Sequence, residues 1–408
     1  MAAKLSRTQK RVRKLTEKSR ERKRSALPAV RPGMRSLAAI LSALPDPRRE
    51  LGREHKLTDI LIVALLATVC GCDNWVEIAE YGVAKEGWLT TFLDLPNGIP
   101  SHDTFDRVFG LLDPEAVSAC YVEWMEELAK SYRGPKLKVI AVDGKTVRGS
   151  RDGAKKKPLH VVSAWCARNR LCLGQVATDE KSNEITAIPE LLGLLELSGA
   201  VVTIDAMGCQ KEIAGKIRAK KGHYLLAVKG NQERLHGDIA AYAGKALEAE
   251  YGGIDSSFHE TEETGHGRKE YRCARVFTDL SAIRDRSSWP GLACFVAVTT
   301  DRTVRGKGES ETRYYISSRL LTGRQAMEAS RAHWGIENRL HWVLDVVFGE
   351  DDSRVRKGHG QENLNVLRKL SLVAVGRAGD KCSLTVRRKK ASWDNEYLMD
   401  LVENYLKI

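Results

Sequence analysis

The stretch Leu137 to Val142 is apolar except for Lys138, and it stops on a carboxylate, Asp143, followed by Gly144, Lys145 and Arg148. Such a run predicts a buried strand whose end carries an acid. The pattern recurs: Ala200 to Asp205 is apolar up to Asp205 and leads into a helical segment from about Cys209 to Lys221. One Asp-Gly alone reads as an ordinary strand turn. Two acids at two strand ends constrain the chain much further. Ligands of open α/β sheets sit at the carboxyl ends of strands, so the expected fold is α/β with both acids at one sheet edge.

At 408 residues the chain exceeds one ordinary core, which predicts two or three folded units. Its net charge of +13 is concentrated at the start, where residues 1 to 24 hold eleven Lys and Arg against Glu17 and Glu21. A basic arm on a nearly neutral body suits a polyanion, most simply nucleic acid. The nine cysteines include no CxxC pair, which argues against a zinc site and for reduced thiols in a cytoplasmic, nucleoid-associated protein. No signal peptide is apparent. The longest apolar run, Ile60 to Cys70, has eleven residues, too few to span a bilayer, so no membrane partner is expected.

Taken in order, residues 1–30 read as a basic disordered tail and 31–132 as a helical domain. In that domain Ser101 is an N-cap candidate ahead of Phe105, Val108, Phe109 and Leu112 on one helix face, with His102 and Arg107 near its start. This part reads either as a helix-turn-helix DNA reader or as a plain helical docking domain. Residues 133–230 give three strands, helix, strand, helix, strand, the order that a ribonuclease H-like core needs. Residues 231–318 break that rhythm as a β-rich insertion. The last core helices are expected at 319–376, and 377–408 as a C-terminal tail.

The returning helix supplies a third candidate. Glu337, His341 and Asp345 stand four apart along one helical face, with Trp334 three residues before Glu337. An acid, an imidazole and a further acid are costly to bury without a cation or donors. Trp334 and Trp342 suit an unstacked base better than water. Carboxylates from two strand ends and a helix would suit two hard divalent ions, Mg²⁺ or Mn²⁺, acting on a phosphodiester without a nucleophilic side chain. Gly144-Lys145-Thr146 is not a phosphate-binding loop, because Val139 occupies the place of the required first glycine.

These residues carry a family resemblance. IPSHDTFDRVFGLLDP at 99–114, AVDGKTVRGS at 141–150, KSNEITAIPELL at 181–192, VTIDAMGCQ at 202–210, YLLAVKGNQ at 224–232, HGRKEYR at 266–272, YYISSR at 314–319 and HWGIENRLHWVLDVVFGEDDSRVRKG at 333–358 together resemble DDE transposases of the ISAs-type insertion-sequence group, which includes the H-repeat-associated proteins. The resemblance covers roughly residues 37 to 376. It implies a ribonuclease H-like core with Asp143, Asp205 and Glu337 as metal-binding catalytic acids. It also implies a β-rich insertion before the Glu, an associated N-terminal domain, and DNA as partner: terminal inverted repeats and target, paired by a homo-oligomer.

The chain departs from the wider superfamily where a Tyr, an Arg and a Lys flank the Glu, because Ser330, His333 and Leu344 hold those places. Arg331, Arg354 and Lys357 are expected to supply the missing charge. Lys145, Arg148, Lys181, Trp334, Asn338 and His341 complete the expected DNA contacts, while Asn183 reads as an N-cap. Gln210 and Asn231 read either as DNA contacts or as element terminators. Two rival functions stay open at this level: a ribonuclease H-like nuclease or resolvase without strand transfer, and a DNA-binding protein that has lost catalysis.

Overall fold

The computed structural model describes residues 35–130, 137–151, 158–178, 183–265, 268–304 and 307–408. Lys181 and the basic tail lie outside the described residues. The chain divides into two units, Met1–Tyr132 with Val347–Ile408, and Arg133–Val346.

The first unit is helical. It opens with α1 (Leu37–Leu41), α2 (Leu57–Cys70), α3 (Trp75–Leu89), α4 (His102–Leu111) and α5 (Pro114–Lys130). Every residue of α2 from Asp59 to Cys70 is buried, as the unbroken apolar run predicts, and Gly71 ends the helix at φ 110°, where a side chain would be strained. Ser101 caps α4 by accepting a hydrogen bond from the Thr104 amide (3.3 Å), and Phe105, Val108 and Phe109 are buried. Among the described residues no single helix is long and apolar enough to cross a membrane.

The second unit is built on one nine-stranded mixed sheet. Its strands are β1 (Val139–Thr146), β2 (His160–Cys166), β3 (Leu171–Thr178), β4 (Val201–Ile204), β5 (His223–Val228), β6 (Ser256–Gly265), β7 (Arg268–Phe277), β8 (Cys294–Val304) and β9 (Lys307–Ser317), in the order β3-β2-β1-β4-β5-β9-β8-β7-β6. The first three strands form an antiparallel meander, and β4 and β5 run parallel to β1. Helices α6 (Glu184–Leu194) and α7 (Lys211–Ala219) make the crossovers. The expected insertion is α8 (Glu233–Glu248) followed by four antiparallel strands, and it prolongs the sheet because β9 pairs with β5. Helix α9 (Gly323–Ile336) lays Ala326, Met327 and Ala329 over Val139, Val201, Leu225, Val276 and Val296. Its small buried residues let the helix lie close to the strands.

After a π turn, Glu337–His341, and α10 (Trp342–Val346), the chain leaves the sheet. By their contacts, α11 (Gly360–Arg377), α12 (Leu384–Trp393) and α13 (Asn395–Tyr405) group with the helical unit. The reason lies in side chains that periodicity cannot assign. Asn363 of α11 donates to the carbonyls of Phe109 (2.8 Å) and Leu112 (3.0 Å) at the end of α4, and Arg388 of α12 bonds Asp73 at 2.9 Å.

Asp380 ties α12 and α13 together. It accepts from Arg387 (2.7 Å), Lys390 (3.0 Å), the Tyr397 hydroxyl (2.9 Å) and the Cys382 amide (3.2 Å). Burial alone would raise its pKa, but these donors together hold the carboxyl well below the usual range. A carboxyl whose pKa is lowered on folding adds stability above its unfolded pKa of about 3.9, and that stability is lost as pH falls through the folded value. Asp380→Asn should therefore cost about 3 kcal/mol at pH 7 and clearly less near pH 2, as read by denaturant unfolding at the two pH values.

Candidate active site

Side chains alternate along β1, so Asp143 and Lys145 project to the face covered by α9, and Gly144 and Thr146 to the other. The register pairs Val142 of β1 with Ile204 of β4. Asp143 within β1 and Asp205, the residue after β4, therefore each follow the last pair of the parallel β1–β4 ladder. Asp205 also accepts a hydrogen bond from the Gly208 amide at 3.2 Å, and Asn231 donates to the Ala206 carbonyl at 2.5 Å, which ties down the turn that follows. Asn231 is thus engaged in fixing backbone. Gln210 likewise donates to the Met207 carbonyl, at 3.1 Å.

Helix α9 is anchored over this edge by His333, whose Nδ1 lies 3.2 Å from the Thr203 hydroxyl of β4. Burial lowers the pKa of His333, with Asp205 pulling the other way, so the imidazole is neutral at pH 7. Glu337 comes four residues later, where the helix widens into its π turn, a feature common at functional sites. His341 at the end of that turn puts Nδ1 3.6 Å from Asp143, and Asp345 of α10 pairs with Lys145 at 2.5 Å. Asp143 is pushed up to about 7, first by burial and then by the charges of Glu184, Asp205 and Glu337. Among the described residues, however, no group of three or more His, Cys, Asp or Glu side chains is arranged to hold a metal ion.

The expected DNA contacts are spread more widely. Lys145 is largely buried in its pair with Asp345, and Arg148 stands in the short 3₁₀ turn after β1. Arg331 is bound by Glu263 of β6 at 2.6 Å. Trp334 is exposed, with the Arg313 guanidinium 5.0 Å from its ring centre, and Asn338 donates to the Trp334 carbonyl. These residues border a cleft of about 550 Å³ between α9 and the long strands, lined with Arg272, Arg302, Arg313, Arg331 and Arg339. Arg354 and Lys357 belong to the helical unit, where Lys357 pairs with Asp106 at 3.3 Å.

Two features escaped the sequence reading. His333 had a signal, standing four residues before Glu337 on the same helix face. Glu184 and His160 had none beyond a capped helix start, because their meeting depends on how α6 packs.

Two family models match the chain: "DDE_Tnp_1-associated" over residues 38–125 and "Transposase DDE domain" over residues 134–374. YncI of Escherichia coli O157:H7, which bears a transposase name, is 40% identical over 375 residues, 90% of this chain and 95% of its own. YhhI of Escherichia coli strain K12, named as an H repeat-associated transposase, is 37% identical over 376 residues, 90% of this chain and 98% of its own. YbfQ of the same strain, named an inactive transposase, is 36% identical over 75 residues, 18% of this chain and 89% of its own.

Proposed function

Because the chain belongs to the DDE transposase family, we propose that it cuts DNA at the ends of its own insertion sequence and joins the freed 3′-hydroxyl to target DNA. The observation that carries this reading is that the charges of Asp205 and Glu337 both reach Asp143. The order β3-β2-β1-β4-β5, antiparallel in its first three strands and parallel in the rest, supports a ribonuclease H-like core.

Asp143, Asp205 and Glu337 would hold two Mg²⁺ or Mn²⁺ ions. The donor chemistry fits: all three are carboxylates, which hard cations prefer, and burial together with the charges of Glu184, Asp205 and Glu337 raises the proton affinity of Asp143. When bound, such ions lower the pKa of an attacking water or hydroxyl and stabilise the leaving oxygen of an in-line displacement. The chain's own groups then position the substrate. Lys145, Arg148, Lys181, Arg331, Arg354 and Lys357 would hold phosphates, and Trp334, Asn338 and His341 would contact the strand nearest the acids. Residues 31–132 would bind the terminal inverted repeats, and two copies would pair the two ends, in the cytoplasm on nucleoid DNA.

The test uses the full chain, a labelled duplex carrying the inverted repeats that border its gene, and a supercoiled target, with Mg²⁺ or Mn²⁺. The expected products are nicks at the 3′ element ends and strands joined to target, both lost in Asp205→Asn and Glu337→Gln. Cleavage without joining would make the chain a nuclease or resolvase. A second reading, a DNA-binding protein that has lost catalysis, draws on the relative named inactive. It predicts end binding with no products.

A further inference from the structure

Behind the acids, on the face of β1 turned away from α9, stands a short hydrogen-bonded chain. Glu184 is the first residue of α6, whose start is locked by a capping box between Asn183 and Thr186. Its Oε1 lies 2.9 Å from His160 Nε2, and His160 Nδ1 lies 2.9 Å from the Thr146 hydroxyl. A carboxylate only accepts, so Nε2 carries a proton and donates to Glu184. Glu184 and His160 are both mostly buried.

The pair presses on Gly144. A side-chain carbon at residue 144 would collide with Glu184 Oε1 and Cδ and with His160 Nε2, so only glycine lets them close on β1. Gly144 directly follows Asp143 in β1. The contacts thus run from Thr146 through His160 and Glu184 to the residue next to Asp143.

We propose that Glu184 and His160 are positioning residues that clamp Gly144 and thereby hold the Asp143 carboxylate in its working orientation. The proposal rests on Asp143 being a metal-binding acid. Neither residue need touch DNA or a cation, since both act from the far face of the strand. A catalytic group must stay within about half an ångström of its working position, which a strand end with an unsupported glycine cannot ensure.

The test measures Mn²⁺ binding to the full chain without DNA by calorimetry, together with nicking of end DNA and the melting temperature. Glu184→Ala should weaken Mn²⁺ roughly tenfold and slow nicking by about 30-fold, with end-DNA affinity unchanged. Glu184→Gln keeps an oxygen for His160 and should recover Mn²⁺ binding to within about threefold of the parent. Thr146→Val, at an exposed position, loosens His160 without emptying the interior and should show a smaller loss of about threefold. This variant decides the matter if Glu184→Ala does not fold. The proposal is overturned if Thr146→Val and a folded Glu184→Ala bind Mn²⁺ and nick like the parent, or if Glu184→Gln is as impaired as Glu184→Ala. Unchanged Mn²⁺ binding and nicking in Asp143→Asn would instead overturn the functional reading itself.

Discussion

Replacing Asp143 with Asn should abolish metal-dependent nicking, a loss of about 10³-fold or more, and at the same time make the cation-free protein more stable at pH 8. The first effect follows from the proposed role, since a carboxylate that helps hold cations contributes several kcal/mol to the transition state. The second follows from charge. Burial, together with Glu184, Asp205 and Glu337, pushes the Asp143 carboxyl up to about 7, whereas an unfolded Asp titrates near 3.9. Between those values the folded chain binds more protons than the unfolded one, so this group's contribution to stability falls as pH rises from about 4 to 7. Asn carries no charge and escapes that loss. Denaturant unfolding should therefore find parent and variant similar near pH 4, with the variant ahead at pH 8 by roughly 4 kcal/mol at most. Adding Mn²⁺ at pH 8 should raise the melting temperature of the parent far more than that of the variant. A merely structural Asp143 predicts the opposite, with Asn destabilising at every pH.

How much of this was legible in sequence depends on whether a residue's role is local. The two strands that lead to the acids could be read because an apolar run stopping on a charge is a property of a few neighbours, although β1 runs on past Asp143 to Thr146 in its pairing with β2. Ser101 and Asn183 were legible as caps for the same reason, and each accepts from the amide three residues on. Strand β6 was not. Its sequence SSFHETEETG is mostly polar and exposed, and it is a strand because its backbone pairs with β7. Glu337, His341 and Asp345 were expected along one face of a regular helix. A π turn intervenes, and they engage β1 through it, at Asp143 and Lys145. The partner of Lys145 was not legible, because Asp345 stands 200 positions away.

Two glycines on α9 should give opposite results when changed to alanine, and the contrast tests how Glu337 is held. In an ordinary helix Gly→Ala stabilises by about 0.5 to 1 kcal/mol, because alanine has less backbone freedom to lose. Gly335 should follow that rule, since the added carbon would lie 3.5 Å from the nearest Trp165 atom, an ordinary contact. Gly323 should reverse it. At the first turn of α9 its amide donates to the Ser257 hydroxyl at 3.0 Å, and an added carbon would strike the backbone of Phe258 and His259 in β6. Backbone cannot rotate aside as a side chain can, so either the helix or the strand must move. Overpacking of this kind costs about 1 to 3 kcal/mol, more than the entropic gain returns. Glu337 lies fourteen residues farther along the same helix, roughly 21 Å at 1.5 Å per residue. A shift at Gly323 is therefore carried as a rigid displacement towards the acids. Gly323→Ala should lose about 2 kcal/mol in denaturant unfolding and on the order of 10²-fold in nicking rate, whereas Gly335→Ala should gain stability and keep its rate within a few-fold. Equal effects at both positions would mean that the start of α9 does not set where its acidic end stands.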